Sequence, residues 1–120
     1  MKIGFIGLGN VGGKLASSLL RNKFDVTVRD LDSGLVEKFK KLGAKSAVTP
    51  KELAEKVELI ITCLPSPVIC SEVMEGSNGV IEGLSENKIW LEMSTTDEHE
   101  VKRIGDKIKK LKEVSLDGPV

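Results

Sequence analysis

Residues 2–12 have the sequence KIGFIGLGNVG, and they carry the strongest signal of fold class in the chain. Its first part, Lys2–Ile6, is dominated by apolar residues and predicts a buried strand. Three glycines with the spacing G-x-G-x-x-G follow in residues 7–12. Apolar residues then recur at every fourth position, at Val11, Leu15 and Leu19. That period predicts a helix with one apolar face, so the stretch is a strand, a glycine-rich turn and a helix start.

Strand-like and helix-like segments continue to alternate along the chain. Further strands are predicted at Phe24–Val28, Val57–Leu64, Ile89–Leu91 and Val114–Leu116. Helix starts are predicted from capping side chains at Asp32, Thr49, Ser66 and Thr95. The second helix has an apolar stripe at Leu35, Phe39 and Leu42, and Gly43 ends it. The stripe of the last helix is formed by Val101, Ile104, Ile108 and Leu111. This alternation predicts one α/β domain over residues 1–120: a doubly wound, mostly parallel sheet of about six strands in three αβα layers, the Rossmann fold.

Each glycine of the turn has a separate predicted task. Gly7 permits a tight turn out of the first strand, and Gly12 lets the following helix pack closely on the sheet. Gly9, which has no side chain, leaves room for a pyrophosphate to approach the backbone. The free N–H groups at the helix start, aided by the helix dipole, would hold the phosphates. The turn therefore predicts a dinucleotide site.

Asp30 is the predicted sugar-binding residue. It ends the second predicted strand, 18 residues after Gly12, where a carboxylate accepts hydrogen bonds from a ribose 2′-OH and repels a 2′-phosphate. This favours NAD. NADP remains an alternative, because the neighbouring Arg29 could pair with that phosphate. In a competing interpretation the glycines form a plain turn and Asp30 joins Asp32 in capping a helix.

Two other function classes remain open on the same fold. One is a methyltransferase that binds S-adenosylmethionine, although such enzymes usually have an acidic residue just before the glycines, where this chain has Phe5 and Ile6. The other is a nucleotide-binding module without catalysis. Absence of NAD(H) binding together with binding of S-adenosylmethionine would favour the methyltransferase.

Composition argues against several partners. Lysine plus arginine and aspartate plus glutamate number 18 each, so no net charge favours nucleic acid or an anionic membrane. No apolar run is long enough to span a bilayer, and no signal-peptide pattern begins the sequence, so we expect a cytoplasmic protein. Cys63 and Cys70 match no metal or redox motif, and His99 is expected on an exposed helix surface. No metal site is predicted.

Several segments of this chain resemble the β-hydroxyacid dehydrogenase family, which includes the 3-hydroxyisobutyrate dehydrogenases. They are the first turn and residues 63–66 (CLPS), 78–84 and 92–96 (EMSTT). The likeness runs through the whole chain. This chain departs from the family pattern at Val11, usually methionine, at Glu92, usually aspartate, and at Thr96, usually apolar.

The resemblance implies site residues and an activity. Cofactor-binding positions would be Gly7, Leu8, Gly9, Asn10, Val11, Gly12, Asp30, Leu64, Pro65 and Thr95, and substrate-binding positions would be Ser94 and Gly118. Leu64 and Pro65 would flank the nicotinamide side. The implied activity is hydride transfer between NAD and a small 3-hydroxy acid, in a protein that forms a homo-oligomer. An NADP-dependent reductase of glyoxylate or semialdehydes is the alternative within the family.

The last residues, Asp117–Val120, resemble the opening of the family's Asp-x-Pro-Val-Ser-Gly-Gly substrate motif. In the family the catalytic lysine and an all-helical substrate and dimerisation domain lie further downstream. No lysine of this chain matches the catalytic one, so no catalytic residue is assigned. We therefore expect these 120 residues to bind cofactor without turnover.

Overall fold

The computed structural model describes residues 1–64, 66–85, 87–93, 102–103 and 106. The strands are β1 (Lys2–Ile6), β2 (Asp25–Arg29), β3 (Lys45–Ser46), β4 (Leu59–Thr62) and β5 (Ile89–Glu92). The helices are α1 (Asn10–Arg21), α2 (Ser33–Lys41), α3 (Pro50–Lys56), α4 (Pro67–Glu75) and α5 (Val80–Gly83). In this part of the chain, no helix has the length and apolar character needed to cross a membrane.

The strands form one parallel sheet with the order β3-β2-β1-β4-β5. The central strand β1 pairs with β2 on one side and β4 on the other, so Ile3 lies beside both Val26 and Leu59. The strand order therefore reverses direction at β1. A crevice forms at the carboxyl ends of the strands at such a point, and ligands of doubly wound sheets bind there.

Successive residues of β1 face opposite sides of the sheet and belong to different cores. Phe5 packs with residues of β2, α1 and α2, whereas Ile6 packs with residues of β4, β5, α3, α4 and α5. The largest buried side chains include Phe39 in the first core and Trp90 in the second. Helices thus cover both faces, and the predicted three-layer Rossmann fold is confirmed.

The predicted helix ends are confirmed where the structure describes them. Three predicted caps accept backbone N–H groups of the first turn: Asp32 in α2, Thr49 in α3 and Ser66 in α4. Gly43 follows α2 with a φ of +108°, the left-handed conformation that glycine adopts without strain. Local side-chain chemistry therefore fixes these boundaries.

Other predictions need correction. β2 starts at Asp25, one residue later than predicted. β4 is shorter than predicted at both ends, since Val57 is the C-cap residue of α3 and the strand ends at Thr62. The two-residue β3 and the four-residue α5 were not predicted, since both are too short to show a period. Val114–Leu116 and the helix cap at Thr95 lie outside the described residues. Lys102, Arg103 and Asp106 of the expected last helix are helical.

Candidate active site

A cleft of about 760 Å³ opens at the carboxyl ends of the central strands. It is lined by the glycine-rich turn, the end of β2, the end of β4 and one side of α4. The lining residues that matter for its chemistry are Gly9, Val11, Arg29, Asp30, Leu31, Asp32, Cys63, Leu64, Glu72 and Met93. The cleft therefore lies at the reversal of strand order, as ligand sites on such sheets do.

Two glycines of the turn are packed against backbone. Gly7 has a φ of +101°, and a Cβ there would collide with the carbonyl oxygen of Cys63. A Cβ at Gly12 would collide with the carbonyl oxygen of Gly7. The structural tasks predicted for both glycines are confirmed: Gly7 makes the turn, and Gly12 brings α1 close to the sheet.

Gly9 has the opposite environment. It is the N-cap residue of α1, it lines the cleft, and a Cβ added to it would meet no atom within 4 Å. No side chain of the described residues caps this helix. The first N–H groups of α1 are therefore available at the cleft, together with the positive end of the helix dipole. This open cradle fits a diphosphate.

Val11 differs from the other residues of the apolar stripe predicted for α1. It is 62% exposed and lines the cleft. Leu15 and Leu19 of the same stripe are packed against the core. The helical period cannot distinguish a face that covers the sheet from a face that borders a ligand cleft.

Asp30 is fixed by two backbone amides. Its Oδ2 accepts the N–H of Leu8 at 2.7 Å, and its Oδ1 accepts the N–H of Asp32 at 2.8 Å. The carboxylate thus lies against the glycine-rich turn and borders the cleft. A carboxylate has about four acceptor positions, so each oxygen retains capacity for a ligand hydroxyl.

Asp30 does not occupy the N-cap position of α2, although its Oδ1 accepts the N–H of the residue that does. That residue is Asp32, whose Oδ1 accepts the N–H groups of Gly34 and Leu35 at 2.9 and 3.3 Å. Leu8, predicted at the cofactor, has a side chain buried in the core and an amide committed to Asp30. Its position therefore serves to hold the carboxylate in place.

The end of β4 forms the other half of the cleft. Cys63 and Leu64 line it, and Met93 lines it from beyond β5. Burial raises the pKa of the Cys63 thiol, and the negative charge of Glu92 raises it further. Cys63 and Cys70 are both free thiols. Pro65, Ser94, Thr95, His99 and Gly118 lie outside the described residues.

A chain of hydrogen bonds beneath the β4–β5 half of the cleft was not predicted. Trp90 Nε1–H donates to Thr62 Oγ1 at 2.9 Å, and the Thr62 hydroxyl donates to Glu92 Oε2 at 2.8 Å. The Cys70 thiol donates to the same oxygen at 3.1 Å. The sequence signal that could have found it is a threonine and a glutamate at the ends of two adjacent buried strands. Leu31, Asp32 and Glu72 were likewise not predicted to line the cleft.

Comparison with known proteins identifies the family. The family described as the NAD binding domain of 6-phosphogluconate dehydrogenase matches residues 2–120. The mouse mitochondrial 3-hydroxyisobutyrate dehydrogenase is 34% identical over 118 residues, 98% of this chain and 35% of that protein. The 3-sulfolactaldehyde reductase of Escherichia coli is 40% identical over 93 residues, 78% of this chain and 31% of that protein. The chain thus spans about a third of the length of these relatives.

Solved structures share the fold. The imine reductase of Myxococcus stipitatus in complex with NADP+ superposes with a TM-score of 0.83 at 17% identity, covering 92% of this chain and 37% of that one. The 3-hydroxyisobutyrate dehydrogenase of Mycobacterium tuberculosis gives 0.80 at 18% identity, covering 91% and 36%. The predicted resemblance to the hydroxyacid dehydrogenases is confirmed by the sequence relatives. The chain belongs to the family of NAD binding domains typified by that of 6-phosphogluconate dehydrogenase.

Proposed function

We propose that residues 1–120 form the cofactor-binding domain of an NAD-dependent dehydrogenase that acts on a small 3-hydroxy acid. The observation that carries the proposal is the position of Asp30, which is hydrogen-bonded to the Leu8 amide beside the uncapped start of α1. A site for the diphosphate and a site for the sugar are thereby joined at the cleft.

In this proposal the backbone holds the diphosphate. The amides of residues 9–12 point to the negative oxygens, and the exposed Val11 side chain covers them from one side. Gly9 admits the phosphates because it has no side chain. Leu8 contributes indirectly, since its amide is already bonded to Asp30.

Asp30 is the proposed reader of the adenosine ribose. Its two oxygens are held by main-chain donors, so their remaining lone pairs are pre-oriented to accept the ribose hydroxyls. Asp32 lines the same end of the cleft and adds a second negative charge. Two carboxylates there disfavour a 2′-phosphate, which supports NAD over NADP.

The other half of the dinucleotide would lie over the ends of β4 and β5. There the resemblance assigns Leu64, Pro65 and Thr95 to the cofactor and Ser94 and Gly118 to the substrate. A bound NAD would supply the hydride acceptor for oxidation of the hydroxyl carbon, or the hydride donor in the reverse direction. The protein's task at this end is to orient the ring and exclude water.

The activity of the whole protein is inferred from its relatives, named 3-hydroxyisobutyrate dehydrogenase and 3-sulfolactaldehyde reductase. We propose that residues 1–120 bind cofactor without turnover and that catalysis needs a lysine and a helical domain outside them. The small 3-hydroxy acid partner, homo-oligomer assembly and cytoplasmic location stay predictions. Dehydrogenase activity of residues 1–120 alone, at the rate of intact dehydrogenases, would contradict the proposal that they bind cofactor without turnover.

A second candidate is an NADP-dependent reductase of the same family. It is favoured by Arg29, which lines the cleft next to Asp30 and could pair with a 2′-phosphate. Titration of the chain with NADH, NADPH and S-adenosylmethionine, followed by calorimetry, separates the candidates. We expect NADH to bind most tightly and S-adenosylmethionine not to bind. Tighter binding of NADPH selects the reductase, and binding of S-adenosylmethionine alone overturns both.

A further inference from the structure

Glu92 is a member of the hydrogen-bond chain beneath the β4–β5 half of the cleft. Its Oε2 accepts the hydroxyl of Thr62 and the thiol of Cys70. Thr62 in turn accepts the indole N–H of Trp90. The three donors are at most 1% exposed, so the carboxylate has a fixed place defined by β4, β5 and α4.

The Glu92 carboxylate does not line the cleft itself, but residues next to it and to Thr62 in the chain do. Thr62 directly precedes Cys63 and Leu64, and Glu92 directly precedes Met93; all three of these neighbours line the cleft. The backbone N–H of Met93 donates to the carbonyl of Thr62 at 2.8 Å, which ties the two strand ends together. The charge also acts on the cleft wall, since it raises the pKa of the Cys63 thiol.

The two ends of the cleft therefore have carboxylates with different surroundings. Asp30 belongs to the β2 end, where the proposed function places the adenosine ribose. Glu92 belongs to the β4–β5 end, over which the rest of the dinucleotide must extend. Because the oxidised nicotinamide ring is a cation and the reduced ring is neutral, a negative charge at that end distinguishes the two oxidation states.

We propose that Glu92, held by Thr62 and Cys70, is a specificity residue that favours binding of NAD+ over NADH. The inference rests on the proposed function. Glu72 of α4 also lines the cleft and contributes negative charge, and Arg29 contributes positive charge at the β2 end. Both stay unchanged in the experiment below, so a change in preference is attributable to Glu92.

The test is a pair of calorimetric titrations, with NAD+ and with NADH, on the chain and its variants. Glu92→Gln keeps the size and an acceptor oxygen for Thr62 but removes the charge. We expect the preference for NAD+ over NADH, measured as the ratio of the two dissociation constants, to fall by roughly threefold to tenfold. Glu92→Asp retains the charge and should stay within about twofold of the wild-type ratio.

Glu58→Gln is the matched control. Glu58 is exposed at the amino ends of the strands, opposite the cleft, where its side chain accepts the N–H of Lys2. Loss of its charge should leave the ratio unchanged. Met93→Lys is a second variant at a 43% exposed position, so folding is not at risk. The added cation should shift the ratio in the same direction as Glu92→Gln.

A readout without cofactor tests the geometry separately. Removing the charge of Glu92 should lower the pKa of the Cys63 thiol and accelerate its alkylation by iodoacetamide, while the buried Cys70 stays unreactive. An unchanged ratio in Glu92→Gln, with both nucleotides still bound, overturns the inference. Absence of binding of either nucleotide to the wild-type chain overturns instead the proposed function on which it rests.

Discussion

The two halves of the cleft hold their carboxylates by different means. On the β1–β2 side, Asp30 accepts two backbone N–H groups, and the turn beside it is shaped by glycines packed on carbonyl groups. On the β4–β5 side, Glu92 accepts two side-chain donors that come from a strand and a helix. The first half is built from main chain and the second from side chains.

This difference determines which substitutions each half tolerates. This main-chain scaffold depends on the positive φ of Gly7 and on close backbone packing at Gly7 and Gly12, so a methyl group at either of these positions disrupts it. A side-chain network depends on satisfied donors and acceptors, so it is disrupted by removal of one polar group. Substitutions in each half test this contrast.

Gly7→Ala should destabilise the fold most. The substitution combines a positive φ with a collision against the Cys63 carbonyl, and we expect a loss of about 3 kcal/mol or more in the free energy of unfolding. Urea denaturation measures it. Gly43→Ala is the control, because its φ is also positive but nothing lies within 4 Å, so only about 1 kcal/mol should be lost. Equal losses would show that packing against Cys63 does not matter.

Asp30→Asn should weaken NADH binding by roughly tenfold to a hundredfold, because a charged acceptor is lost and the new amide N–H₂ faces a backbone donor. NADPH should lose less, since the repulsion of its phosphate is relieved. Parallel calorimetric titrations with both nucleotides measure the change. Asp25→Asn, at the other end of β2 and paired with Lys45, should leave both affinities unchanged. Equal losses for the two nucleotides would argue against sugar recognition by Asp30.

Gly9→Ala should reduce affinity without unfolding the protein. Its added methyl group meets no protein atom but occupies the approach to the α1 amides, so we expect roughly tenfold weaker NAD+ binding. The free energy of unfolding should change by less than about 1 kcal/mol. Denaturation and titration of the same sample separate these effects. Unchanged affinity would place the diphosphate elsewhere.

Thr62→Val should cost about 1–2 kcal/mol, because it leaves the buried Trp90 N–H without an acceptor and removes a donor from Glu92. The emission of Trp90, the chain's single tryptophan, should change in the native state. Thr27→Val is the matched control: that threonine is also buried, and its hydroxyl makes no hydrogen bond among the described residues. A similar cost at both positions would show that the network adds no stability.

The sequence predicted the main-chain half of the site better than the side-chain half. The glycine spacing and the position of Asp30 after a buried strand express local geometry, which a linear pattern records. The bond between Leu8 and Asp30 was not foreseen, because it joins residues 22 positions apart through tertiary packing. The chain from Trp90 to Glu92 depends on the register of β4 with β5, which no local pattern encodes.

The proposed function requires that the first amides of α1 hold the diphosphate while Asp30 holds the neighbouring sugar. Two-dimensional NMR of the ¹⁵N-labelled chain during titration with NAD+ can detect both contacts. We expect the amide resonances of residues 9–12 to shift most, with a smaller shift at Leu8, whose N–H is already bonded. Saturable binding that leaves residues 9–12 unshifted would contradict the account.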